Sequence, residues 1–186
     1  MRNVFFTLSL SLLISPPPLS AIERAIDPSR STITIHVGKT GLFSAAGHEH
    51  EVSAPIAEGA IDDSEGSHVW LRVAAAKMTV LPEKDQEAVQ SAMQRSVLES
   101  AKFPEIRFES TSVRKIDSGK WKITGNLTLH GKTDSITVDV RDGAGAYLGQ
   151  ARIRQTQFGI QPVSAAGGAV KVTDELRIDF VIVASR

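Results

Sequence analysis

The chain has 186 residues, 41% of them hydrophobic and 23% charged, and no cysteine. Its 21 Lys and Arg balance 21 Asp and Glu, which argues against nucleic-acid binding by phosphate neutralisation and against a chain kept disordered by net charge. The missing cysteines exclude disulfides, thiolate metal sites, cysteine nucleophiles and a lipid-modified cysteine anchor.

Residues 1–21 are ordered like a secretory signal. Arg2 supplies the positive start, and residues 4–14 form an apolar stretch shorter than the about 20 residues a membrane-spanning helix needs. Pro16, Pro17 and Pro18 then break any helix before Ser20 and Ala21. Cleavage after Ala21 leaves residues 22–186 as one domain, periplasmic or secreted, with no transmembrane segment. A short membrane anchor is the alternative.

Strict alternation marks most of the remaining chain as strands. Ile33, Ile35 and Val37 share a face, as do Val69, Leu71 and Val73. Ile106 and Phe108 mark a strand after Pro104. Trp121, Ile123, Leu127 and Leu129 form the next face, followed by Ile136, Val138 and Val140, then by Leu176, Ile178, Phe180 and Ile182. Asp62-Asp63, Asp117-Ser118-Gly119, Gly131-Lys132 and Asp142-Gly143 carry turn chemistry between them. Only residues 83–101 break the pattern. There Val89, Ala92, Met93 and Val97 recur at helical spacing between Pro82 and Pro104, which predicts one helix with a single apolar stripe. Antiparallel strands with short turns and one helical insertion point to an all-β barrel or sandwich.

Four blocks carry a resemblance. AKFPEIRFEST at 101–111, GNLTLHGKT at 125–133, RQTQFGI at 154–160 and IDPSRSTI at 26–33 are similar, in order and spacing, to blocks of the YceI-like family. Residues 84–89 (KDQEAV) and 41–52 depart from that pattern. The resemblance implies an eight-stranded antiparallel lipocalin-like barrel, exported or periplasmic. It further implies a binding protein rather than an enzyme, with a long polyisoprenoid chain held in the barrel of some members.

The expected function is therefore sequestration or carriage of a long apolar ligand, a polyisoprenoid or isoprenoid quinone, with no other cofactor. Each buried methylene is worth about 0.8 kcal/mol, so a long chain gains affinity without polar contacts. Alternation nominates Phe108, Leu127, Leu129, Val138, Phe158 and Phe180 as lining, although they equally suit a solid core. His130 is a candidate rim contact to a ligand head, or a strand-end residue that fixes the turn. Arg154 is a candidate partner for a prenyl diphosphate, or for an Asp or Glu.

Two further functions stay open. His48-Glu49-His50, if extended, puts two imidazoles on one face, where they could share a metal with His36 or His68, or bond a polar head at the barrel mouth. This supports a metal-binding or redox-linked alternative. The other is a structural or stress-response protein with a filled barrel. No Gly-x-Ser-x-Gly nucleophile motif occurs, and a homodimer is left open.

Overall fold

The computed structural model describes residues 23–40, 50–62, 67–82, 85–165 and 170–185. The proposed signal at 1–21 and His48 lie outside these residues.

Strand β1 (Glu23–Ala25) leads into β2 (Thr32–Thr40). The chain then forms β3 (His50–Ser53), β4 (Ile56–Asp62), β5 (His68–Ala74) and the short β6 (Thr79–Val80). Helix α1 (Gln86–Ala92) continues as a π-helical turn over Met93–Val97. After it come β7 (Glu105–Asp117), β8 (Lys120–Leu129), β9 (Lys132–Gly143) and β10 (Ala146–Arg154). A 3₁₀ turn (Gln155–Phe158), β11 (Ser164–Ala165) and β12 (Val170–Ile182) complete the chain.

All strand pairs are antiparallel, and hydrogen bonding runs β1-β4-β5-β7-β8-β9-β10-β12-β2-β3-β6, with β11 against β12. The path joins eleven strands rather than the eight expected. Eight of them have seven residues or more. The other three, β1, β3 and β6, have two to four, too few for alternation to register. The sheet curls into a half-barrel. β3 and β4 lie near its opposite ends but are one continuous stretch of chain, bent at Ala54-Pro55. Proline cannot donate to a ladder, so the strand leaves one partner there and takes another; Ala54 N–H still reaches Ile33 O at 3.0 Å.

The predicted faces hold with one exception of parity. In β7, Ile106 and Phe108 face inward, as does Val113, because the register shifts between Ser110 and Ser112. Such a bulge inserts one residue and exchanges the faces. The buried Ser110 sits at it, its Oγ accepting from Val69 N–H at 2.9 Å.

The helix is shorter than residues 83–101. Asp85 before α1 and Glu99 after the π turn both have left-handed backbone, with φ of 62° and 45°, which ends helical hydrogen bonding on either side. A helix this short is not stable alone in water. Three glutamines on one face hold it to the sheet edge. Gln90 Oε1 accepts from Val80 N–H at 2.7 Å, and Gln86 Nε2 donates to Val80 O at 2.7 Å. Gln90 Nε2 and Gln94 Nε2 each donate to Met78 O at 3.0 Å. The side chains thus occupy the place of a next strand and cover an edge that would otherwise be open to pairing.

Candidate functional site

The inward faces enclose a cavity of about 650 Å³, within the size range of small-molecule sites. On β8 the lining extends from Trp121 to Leu129, about 27 Å at 3.4 Å per residue. The wall is almost wholly apolar. Ile33, Ile35 and Val37 line it from β2, Val69, Leu71 and Val73 from β5, and Leu176, Ile178 and Phe180 from β12. Val89, Ala92, Met93 and Val97 cover it from the helix, so the predicted stripe is the cavity roof. Two aromatic rings enter the space over inward glycines. A Cβ on Gly125 would lie 2.5 Å from Phe108 Cζ, and one on Gly149 2.3 Å from Phe180 Cζ. Each ring therefore lies flat on the sheet only because no side chain stands beneath it.

Polar groups on the wall gather at its two ends. Asp62 ends β4, Asp142 lies near the end of β9, and Tyr147 near the start of β10. The antiparallel register brings all three, with Ser67, to one end. Tyr147 Oη accepts from Arg24 Nη2 at 3.2 Å, and its ring meets Trp121 edge-on with centroids 6.0 Å apart. His50 and Gln155 lie at the opposite end, by the helix, with Gln155 Nε2 donating to Thr173 O at 2.7 Å.

Five of the residues nominated from sequence line the cavity: Phe108, Leu127, Leu129, Val138 and Phe180. Three others sit elsewhere. Phe158 is fully buried at 0% exposure and is not part of the wall; it belongs to the 3₁₀ turn that ends at Gly159. Arg154 is exposed and precedes that turn, its N–H donating to Gln157 Oε1 at 2.8 Å. It is not part of the cavity wall. The turn is fastened by Thr156, whose N–H and Oγ1 donate to the two carboxylate oxygens of Asp174 at 2.9 and 2.8 Å. These bonds, the backbone one first, hold the Asp174 carboxyl below the ordinary aspartate value.

His130 lies off the cavity wall as well. His130 and Gly131 have φ of 51° and 73° and join Leu129 to Lys132, a two-residue hairpin in which both central residues are left-handed. Its Nε2 lies 2.7 Å from Glu99 Oε2, and its ring packs on Phe103 with centroids 4.3 Å apart. Two of the sequence blocks thus meet here as a structural joint.

Of the histidine pair, His50 lies on the cavity wall and His48 lies outside the described residues. The suggested third ligands face away. His36 is held on the outer face between Glu51 at 3.1 Å and Asp179 at 3.0 Å, and His68 lies 3.6 Å from Glu109. Among the described residues, no three His, Asp or Glu side chains are grouped to hold a metal. Also on the outer face, Arg72 bridges Glu58 at 2.8 Å and Glu105 at 3.1 Å, and its hydrogen bond lowers the Glu58 carboxyl.

The glutamine ladder and the polar end at Asp62, Asp142 and Tyr147 were not anticipated. Gln86, Gln90 and Gln94 at i, i+4 and i+8 were a readable signal, since that spacing puts three amides on one helix face. Nothing local distinguishes the polar end, because Asp62 on β4 is far in sequence from the β9–β10 hairpin that pairs Asp142 with Tyr147.

Comparison with known proteins agrees with this architecture. A UPF0312 protein of Vibrio campbellii is 28% identical over 196 residues, covering 97% of this chain and 99% of its own. Burkholderia cenocepacia BcnA superposes with a TM-score of 0.64 at 18% identity, over 86% of this chain and 99% of its own. A polyisoprenoid binding domain from Saccharophagus degradans, implicated in plant cell wall breakdown, gives 0.58 at 13% identity, over 85% and 95%. The profile of the YceI-like domain matches residues 25–184, and the chain belongs to that family.

Proposed function

We propose that this protein binds a long apolar ligand, a polyisoprenoid or isoprenoid quinone, within the half-barrel, and that residues 1–21 direct it out of the cytoplasm to carry or sequester that ligand. The observation that carries the reading is the cavity itself. A filled barrel would have no continuous space of about 650 Å³, and an apolar wall about 27 Å long suits a chain rather than a compact polar metabolite. Ten methylenes buried there yield about 8 kcal/mol before the costs of association, enough for useful affinity once those costs are met. The polyisoprenoid binding named for the Saccharophagus degradans domain supports the same ligand class.

The test is organic extraction of the purified native protein followed by mass spectrometry, with uptake of added isoprenoid measured in parallel. Stoichiometric recovery of a long-chain lipid is the expected result. No co-purified lipid and no uptake would overturn the reading and favour a structural role.

A further inference from the structure

We propose that the β7–β8 hairpin docks this protein on an anionic lipid bilayer, with its bases on the phosphate headgroups and Ile116 in the apolar layer beneath them. The contact lies on the outer face of the sheet and is independent of what fills the cavity.

The first observation is a block of like charge. On the outer face, Arg114 of β7 stands directly opposite Lys122 of β8, and Lys120 of β8 directly opposite Arg141 of β9. Like charges paired across strands destabilise a sheet, so two such pairs side by side cost the fold stability unless an anion meets them. The nearby acids answer only part of the charge. Lys122 Nζ lies 2.7 Å from Asp139 Oδ1, and Lys120 Nζ 3.6 Å from Asp117 Oδ2. Asp142 is on the cavity wall instead, and Asp179 is held by His36 and Arg177 at 3.0 and 3.3 Å. Arg114 and Arg141 are exposed, and among the described residues neither has an ion pair. Lys115, across from Trp121, adds another exposed base to the hairpin.

The second observation is apolar. Among the described residues the large hydrophobics that stand exposed are Ile116, at 53%, and Val163. Val163 borders the cavity. Ile116 does not; with Lys120, Arg141, Leu148 and Val181 it lines an outer groove of about 630 Å³. The register shift between Lys115 and Asp117 makes Ile116 the extra residue of a bulge, which frees it from the ladder beside the turn. β7 pairs with β5 only as far as Glu109, so the hairpin runs on past that strand. An exposed aliphatic side chain among Lys and Arg suits an anionic bilayer, because the apolar group enters the acyl layer while the bases stay with the headgroups. A soluble acidic protein or a free phosphate would engage the bases but leave Ile116 in water.

The experiment expresses the full chain and measures co-sedimentation with vesicles of phosphatidylglycerol and phosphatidylcholine in equal parts, against phosphatidylcholine alone. Parent and variants carry the same residues 1–21, so differences between them belong to the hairpin. The parent is expected to bind the anionic vesicles about tenfold more tightly or better, and to be released as salt rises. R114Q/R141Q should weaken that binding by about tenfold, and I116S by several-fold. R154Q/K171Q, which removes two exposed bases from the opposite end of the sheet, should stay within about twofold of the parent. Equal binding to both vesicles, no binding to either, or equal losses in the two double variants overturns the proposal. So does unchanged binding by I116S, or displacement by inorganic phosphate at constant ionic strength, which would make the patch a free-anion site. If R114Q/R141Q does not fold, I116S and the two vesicle compositions still decide. Vesicle binding needs no isoprenoid, so its failure leaves the apolar-ligand reading standing.

Discussion

Replacing Gln90 with alanine tests whether the glutamine ladder holds the helix over the cavity. Val80 is 1% exposed. It is paired with Val52, but Leu81 N–H donates to Glu51 O, so the ladder bonds of β6 fall on its neighbours and Val80 N–H points the other way. Its partner there is Gln90 Oε1 at 2.7 Å. The second Gln90 bond, to Met78 O, is duplicated by Gln94 and matters less. Q90A therefore leaves one buried N–H without an acceptor, at a cost of about 2 kcal/mol within a range of 1–3. Alanine is the better helix former, so weaker helix propensity cannot produce the loss. The consequence is local. Hydrogen exchange at the Val80 amide should quicken about 30-fold, while amides in the β8–β9 hairpin stay protected. Ligand uptake should quicken with it, since the apolar roof of Val89, Met93 and Val97 rides on the same helix. Val80 exchange within about twofold of the parent would refute the view that this side chain stands in for a strand.

Two further predictions concern packing and pH. Phe158→Ala should cost about 3–5 kcal/mol in urea unfolding, because its ring is wholly enclosed. Phe108→Ala should cost less while weakening ligand binding, because that ring borders existing space; equal losses would mean Phe108 is ordinary core. Asp174 supports the fold only while ionised, since its folded-state carboxyl lies below the ordinary value. Its contribution should be complete above about pH 4 and fade as pH falls through the lower folded value. The stability gap between the parent and D174N, measured by thermal melts across pH, should shrink in acid, and a constant gap would contradict the Thr156–Asp174 contact.

Much of the fold was legible locally, because side-chain direction in a strand has a period of two. Ile33, Ile35 and Val37, or Ile136, Val138 and Val140, declare a shared face with no knowledge of the partner strand, and the helix stripe is just as local. The family blocks were legible too, but their roles were not. His130 and Arg154 read as polar residues near a rim, and only tertiary contacts show His130 tied to Glu99 and Phe103, and Arg154 beside a solvent-facing turn. A motif records which residues recur, whereas their direction depends on backbone angles and on partners from other strands.

By itself, the sequence determined an antiparallel all-β domain with six strand segments apolar on one face, one helical insertion and no cysteine chemistry. Tertiary structure decided whether those faces meet. Alternation has the same period whether opposing walls touch or stand apart. The space between them depends on the number of strands, the curl of the sheet and the side chains summed across it. Here eleven strands curl without collapsing, glycines let Phe108 and Phe180 lie flat, and the glutamine-held helix roofs the space. The apolar residues that could equally have formed a solid core instead line a cavity. The polar groups at one end of it, Asp62, Asp142 and Tyr147, are likewise brought together from β4, β9 and β10 only by the register of the sheet.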